Sequence, residues 1–300
     1  MAGMTRAGIV GVAGRPNVGK STLVNAIVGV KVAIVSDRPQ TTRRAIRGVA
    51  TDLDGGWQLV LVDLPGVQRP RDSLTRRMQH RVEHELADAD GALLVLDGPQ
   101  GVGPGDRFIA RALLGARSEV PVICAVNKCD RLRRAGIARA LADAEALQGV
   151  DEIFPVSAKT GAGVDPLVER LVEVMPEGPL LYPPEERTDL PRDRRLAELI
   201  REQVLRRMRE EIPHSVEVAV EEVSMRDDGL VNVRAQVWAE TESQKGILIG
   251  AGGRMVREVG TSARRELERE LGARVFLDLR VRVRPKWRGD EALLDRLGIE

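Results

Sequence analysis

Eight consecutive residues, Gly14-Arg15-Pro16-Asn17-Val18-Gly19-Lys20-Ser21, bring together the groups that a phosphate-wrapping loop needs. Glycines let backbone N–H groups converge on phosphate oxygens, and a following helix N-terminus adds partial positive charge. Lys20 would reach the β and γ phosphates, and Ser21 would offer its hydroxyl to Mg2+. The nucleotide contacts predicted here are Gly14, Asn17, Val18, Gly19, Lys20, Ser21 and Thr22. A chance glycine-rich turn is the competing reading. It loses weight because an apolar run, Ile9 to Ala13, precedes the loop and a helical stretch, Lys20 to Val28, follows it.

Three further motifs choose the base. Asp63-Leu64-Pro65-Gly66 closes an apolar strand, so the Asp63 carboxylate can hold magnesium through water and Gly66 can give its N–H to a γ-phosphate. Asn127-Lys128-Cys129-Asp130 ends a later strand. Asp130 can accept from both the ring N–H and the amino group of guanine, a pair of donors that adenine does not present. Ser157-Ala158-Lys159 supplies a backbone N–H for the guanine oxygen, and the stems of Lys128 and Lys159 would cover the ring faces. Each motif alone is weak evidence. Four in this order, each at the carboxyl end of a strand, predict a guanine-nucleotide site.

The elements that must position these residues are legible in the pattern. From Gly8 to Pro176, short apolar runs alternate with amphipathic stretches, as in βα units around a mostly parallel sheet. The strands are expected at Ile9–Ala13, Ala45–Thr51, Gln58–Asp63, Ala92–Asp97, Val122–Asn127 and Ile153–Ser157. Helices are expected near Lys20–Val28, Ser73–Ala87, Gly105–Gly115, Gly136–Leu147 and Val164–Met175. Residues 179–191 fall in a stretch crowded with Pro, Gly and charge, which reads as an extended linker. Beyond it the order is α-β-β-α-α-β, with helices at Arg194–Arg209, Glu242–Ile249 and up to Leu271. Strands follow at Val216–Val223, Leu230–Trp238 and Val275–Val283. The first of these helices carries an apolar stripe, Leu196, Leu199, Ile200, Leu205 and Met208, with arginines on its other faces.

Composition sets the outer bounds. The 300 residues carry 46 Lys and Arg against 45 Asp and Glu, so net charge gives no argument for a polyanionic partner. Cys124 and Cys129 read as small core or spacer residues in a reducing compartment. No apolar run approaches the roughly 20 residues that span a bilayer. The expectation is a cytoplasmic protein. His80 and His84 lie one helical turn apart without a third ligand in view, so they read as solvated residues.

From GRPNVGKS to the terminal WRGDEALLDRLGI, the chain resembles the Era family of bacterial ribosome-assembly GTPases. The resemblance implies a P-loop GTPase domain over 1–178, with a mostly parallel six-stranded sheet and helices on both faces. After the linker 179–191 it implies an α+β type II KH domain over 192–300 with a C-terminal extension. Gln40-Thr41-Thr42-Arg43-Arg44 corresponds to the first switch, a polar surface loop by its composition alone. By resemblance Thr42, ahead of Thr41, completes the magnesium shell with Ser21 and Asp63. The family's usual DTPG reads DLPG here, keeping Asp63 and Gly66. Ras-like GTPases place a water-orienting Gln after that glycine. Val67 stands there instead, which predicts slow intrinsic turnover. In related GTPases the Asn of the phosphate loop helps to hold a potassium ion, so Asn17 either does this or only caps the loop. Lys20, Asn17, Thr42 and Gly66 make up the expected catalytic set.

The tail resembles a type II KH domain because Gly250-Ala251-Gly252-Gly253 stands between two helices, where RNA backbone can approach without Cβ interference. The resemblance implies RNA contacts from Lys245, Ile249, Gly250, Ala251, Gly252, Gly253, Arg254, Val256 and Arg257. Ile247 and Leu248 would join the apolar floor, and Arg264 would face phosphate. A solvated helix face, with Glu258 and Glu268 as partners, is the bland alternative. The family commonly has Lys where Ala251 and Gly252 stand, so the loop tip should grip phosphate less. Glu211-Ile212-Pro213-His214-Ser215 matches a family signature in which His214 is structural. Trp287 either stacks on a base or seals the last strand. The implied partners are the 3′ end of 16S rRNA, the 30S subunit and, peripherally, the inner membrane face, with the chain a monomer. The rival functions are an RNA-binding protein that holds GTP mainly as a ligand, or another translation-associated assembly GTPase.

Overall fold

The computed structural model describes residues 5–36, 41–66, 72–116, 120–208 and 215–299. Its contacts divide into two units, the first comprising Met1–Ala33, Thr42–Arg71 and Thr75–Asp189, the second Ile34–Thr41, Asp72–Leu74 and Leu190–Glu300.

The first unit is an α/β layer structure. Strands β1 (Arg6–Ala13), β2 (Ile46–Asp52), β3 (Trp57–Asp63), β4 (Gly91–Asp97), β5 (Val122–Asn127) and β6 (Glu152–Pro155) form one sheet in the order β2-β3-β1-β4-β5-β6. Only β2 runs antiparallel to its neighbour. Its strands are apolar on both faces because helices cover both. Leu93, Val95, Ile123 and Ala125 pack under α1 (Lys20–Val28) and α5 (Val164–Val174). Ala92, Leu94, Val122 and Cys124 pack under α2 (Ser73–Ala87), α3 (Pro104–Ala116) and α4 (Arg134–Glu145). Strand β6 ends at Pro155, two residues earlier than its pattern suggests, and the Val156 carbonyl instead accepts the Cys129 N–H at 3.1 Å.

The stretch expected as a linker is extended, yet through Asp189 it is bound to this unit. Gln58 donates to the Tyr182 carbonyl and accepts the N–H groups of Leu181 and Tyr182 at 2.8–3.0 Å. Further on, the Val49 N–H donates to the Arg187 carbonyl at 2.9 Å and Thr188 bridges Gly48, so the segment lies along the open edge of β2. A composition rich in Pro, Gly and charge predicted the extended backbone and gave no sign of this pairing.

The second unit carries a sheet of β7 (Glu217–Met225), β8 (Val231–Ala239) and β9 (Val275–Val283) in that order, the first pair antiparallel and the second parallel. Helices α6 (Arg192–Arg207), α7 (Glu242–Ile249) and α8 (Arg254–Leu271) pack their apolar stripes on Val218, Val233, Ala235, Val237 and Val275. Of the arginines off the apolar stripe of α6, Arg201 is fully buried against Glu198 at 2.6 Å and Glu217 at 3.6 Å, with its Nη2 donating to the Thr41 carbonyl. A short α9 (Glu291–Leu297) follows, its N-terminus capped by Asp290 and its end marked by Gly298 at φ 68°.

Candidate nucleotide site and nucleic-acid groove

Strand β1 delivers the chain at Ala13 into a loop packed so closely that two glycines are obligatory. A Cβ on Gly14 would lie 2.5 Å from the Val95 carbonyl oxygen, and one on Gly19, at φ 102°, would lie 2.3 Å from Asn127 Nδ2. Asn17 adopts φ 65°, a left-handed conformation that asparagine tolerates better than most residues. Its carbonyl accepts Lys128 Nζ at 2.6 Å. Asn127 bridges three loops, donating to the Val18 carbonyl at 2.9 Å and accepting the Ala158 N–H at 3.0 Å. The Ala158 N–H is thus engaged within the protein, and among the described residues the Lys159 N–H has no partner. Ser157 donates to Asp130 at 2.7 Å, which orients the exposed carboxylate that the sequence assigns to guanine.

Lys20 lies buried at the base of the loop, its Nζ donating to the carbonyls of Gly14 at 3.0 Å and Arg15 at 3.1 Å. Burial lowers its pKa to about 8, and the Asp63 carboxylate opposes that shift. Two hydroxyls and one carboxylate meet beside it. Ser21 donates to Asp63 Oδ2 at 2.6 Å, Thr42 donates to the same oxygen at 3.1 Å, and the two hydroxyls are 3.1 Å apart. Asp63 is fully buried, and its Oδ1 has no hydrogen-bond partner. Burial raises its pKa, while Lys20, Ser21 and Thr42 hold it down. An orphaned buried carboxylate oxygen beside two hydroxyls is an all-oxygen donor set, which suits a hard cation such as Mg2+ completed by phosphate and water. Gly66 abuts the phosphate loop, where a Cβ would meet Pro16 at 2.8 Å. Thr22 follows Ser21 on α1, and the Val18 side chain belongs to the core.

The first switch departs from its expected exposure. Thr41, Thr42, Arg43 and Arg44 are all buried, so Arg43 and Arg44 are not solvated side chains. Gln40 and Val67 lie outside the described residues. Sequence reasoning also missed Asp97, which ends β4 buried and pairs with Lys128 at 2.6 Å. Its signal was a carboxylate terminating an otherwise apolar strand, at the same sheet edge as Asp63 and Asn127. Arg15 was unassigned, and it is tied to Asp106 at 2.8 Å and the Gly101 carbonyl at 3.3 Å.

In the second unit, Gly250, Gly252 and Gly253 all have positive φ, and a Cβ on Gly252 or Gly253 would meet nothing within 4 Å. Backbone at this tip therefore faces open space, as the motif requires. Arg257 Nη2 braces the loop by donating to the Gly252 carbonyl at 2.7 Å. The pairs Arg254–Glu258 and Arg264–Glu268 are 3.9 Å apart, and Lys245 lies 3.1 Å from Glu242. Ion pairs at exposed sites hold little energy, so these cations stay exchangeable toward phosphate. Beside the loop runs a groove lined by Val256, Arg257 and Arg264 of α8 and by Phe276, Leu277 and Leu279 of β9. Ile249 is partly buried and Ile247 is half exposed, whereas Leu248 points into the core and cannot form a floor. Trp287 is fully buried and donates to the Ser215 carbonyl at 2.9 Å, so it seals the fold. His214 lies outside the described residues, and among those residues no three His, Cys, Asp or Glu side chains gather as a metal site, including around exposed His80 and His84.

The chain was compared with known proteins. Residues 9–128 match a family described as 50S ribosome-binding GTPase, and residues 211–288 match the KH domain family. It is 45% identical over 296 residues to GTPase Era of Mycolicibacterium paratuberculosis and 44% identical to that of Mycolicibacterium smegmatis, spanning 98% of both chains in each case. A crystal structure of an Aquifex aeolicus Era variant bound to GDP and AlF4− superposes with a TM-score of 0.93 at 33% identity, covering 98% of this chain and 99% of that one. Era in complex with MgGDPNP and nucleotides 1506–1542 of 16S ribosomal RNA superposes at 0.94, with the same identity and coverage.

Proposed function

The chain belongs to the Era family of GTPases, and from that premise we propose that it binds the 3′-end region of 16S rRNA through its second unit and assists assembly of the 30S subunit. It hydrolyses GTP. The observation that carries the proposal is the presence in one chain of the Ser21–Thr42–Asp63 cluster beside a phosphate loop and an open Gly250–Gly253 tip beside a groove. A GTPase that lacked the second feature would have no reader for single-stranded RNA.

In this reading Asp130 takes the guanine N–H donors, Lys128 and Lys159 cover the ring faces, and the turn at Ser157–Lys159 serves the guanine oxygen. Gly14 to Thr22 hold the phosphates, with Lys20 on the β and γ groups and the Gly66 N–H on the γ group. Ser21, Thr42 and Asp63 would hold Mg2+, which neutralises phosphate charge when bound. Burial strips solvent screening from Lys20 and works against its charge, while Asp63 helps to hold the proton, so the ammonium acts strongly on a bound phosphate. With Val67 after Gly66, water must be positioned by backbone, by another switch residue or by a partner. Asn17 as a potassium ligand is one such source, and equal turnover in sodium and potassium would remove it.

Lys245, Ile249, Gly250 to Arg254, Val256 and Arg257 make up the RNA surface. Peripheral contact with the membrane and a monomeric state belong to the same reading. They are checked by vesicle flotation and light scattering. The central experiment is multiple-turnover GTP hydrolysis with and without an oligonucleotide of the 16S rRNA 3′ end. Faster turnover with RNA is expected, and an unchanged rate together with no binding would reject the ribosomal role.

A further inference from the structure

In a chain with 2% aromatic residues, Phe276 is 53% exposed and stands on β9, an edge strand of its sheet. It lines two depressions at once. One is the groove between α8 and β9, and the other is a pocket on the outer sheet face formed with Glu222, Arg226, Asn232, Arg234 and Asp278. The Arg226 guanidinium sits 5.7 Å from the centre of the Phe276 ring. A tight turn fixes Arg226, whose N–H donates to the Leu230 carbonyl and whose carbonyl accepts the Gly229 N–H, both at 3.0 Å. Directly across the ladder from Phe276 is Asn232, whose Oδ1 is buried without a hydrogen-bond partner.

The next row of this face offers no free charge. Arg234 is paired with Glu222 at 2.9 Å and approaches Asp278 at 3.9 Å, and Arg280 closes on Asp278 at 2.8 Å. What remains for a ligand is an exposed aromatic ring with a guanidinium over it, a combination that binds nucleobases with little regard to sequence. The position of Phe276 along the groove gives the order of contacts. Helix α8 begins at the glycine loop and turns back at Gly272 into β9, so Phe276, the second residue of that strand, lies at the groove end remote from the loop. From Val256 to Arg264 the helix rises about 12 Å, and from Val275 to Leu279 the strand advances about 13 Å.

We propose that Phe276 and Arg226 form an additional nucleotide subsite, on which RNA leaving the far end of the groove folds over the edge of β9 and stacks one base. This rests on the reading of the groove as an RNA site. Because the contact is a stack, it lengthens the footprint by a nucleotide without adding sequence preference.

The test is fluorescence anisotropy of the full chain with single-stranded oligomers of the 16S rRNA 3′-end sequence, lengthened two nucleotides at a time at each end separately. Lengthening at one end should tighten binding, and Phe276→Ala should abolish that gain, about ten-fold or more, while the shortest binding oligomer is held as before. Phe276→Tyr should keep the gain and Phe276→Leu should lose it, whereas a residue needed only for packing would be rescued by Leu. A gain at neither end, or an equal loss for short and long oligomers in Phe276→Ala, overturns the subsite and leaves the groove reading standing. Failure of the unsubstituted chain to bind any oligomer overturns both.

Discussion

The Asp130 carboxylate, oriented by the Ser157 hydroxyl at 2.7 Å, is set to accept two donors from one edge of a purine. A hydrogen bond to a charged group is worth about 1.5–3 kcal/mol. Asp130→Ala should therefore lower GTP affinity by about 100-fold or more and leave ATP binding as weak as before, as read by competition titration. Asp97 works one step back. Its buried carboxylate fixes the ammonium of Lys128, which in turn holds the Asn17 carbonyl and with it the phosphate loop. Asp97→Asn should weaken GTP binding about ten- to 100-fold, the scale of one charge-assisted bond, with a drop in melting temperature in both the free and the nucleotide-bound protein. Most of the site was legible because its residues recur at strand ends in an ordered set. Asp97 escaped because a single Asp after an apolar run has no partner visible along the chain, and Lys128 lies across the sheet.

At the scale of elements, β5 buries Cys124 and the turn that follows it carries Cys129. Burial pushes the Cys124 thiol up to about 12, with Asp106 adding to the shift, and burial also raises Cys129. Neither should react quickly with a thiol reagent at pH 8 in the folded protein, and both should react in denaturant. Because the folded thiol ionises later than the unfolded one, Cys124 stabilises the fold fully below pH 9.0 and loses that contribution as pH rises toward about 12. Urea titrations across that window should show a falling midpoint. Helix α6 gives the sharper lesson. Periodicity found its apolar stripe, but a helical wheel cannot say how many faces are covered, and Glu198, Arg201, Glu202 and Gln203 are all buried. Arg201→Ala would leave its carboxylate partners buried without their cation, so unfolding free energy should fall by about 3–5 kcal/mol. Arg201→Met should cost less. Strand and helix order followed directly from the alternation of patterns, whereas long-range pairing, such as Gln58 with Leu181 and Tyr182, left no trace in either segment.

For the whole molecule, two units with separate cores account for the different patterns on either side of residues 179–191. The boundary between them has a practical side. Strand β2 is one of the two outer strands of the six, and an unpaired outer strand is a template for joining other chains. The Arg187–Thr188 stretch covers part of that rim, and Gln58 fastens the approach to it. A recombinant fragment ended at residue 178 would discard this cover and should elute as a broad, concentration-dependent species in size-exclusion chromatography. One ended at residue 189 should stay monodisperse. A stretch whose composition suggests a mere tether thus doubles as a guard against sticky self-association, and cloning limits chosen by composition alone would cut it away.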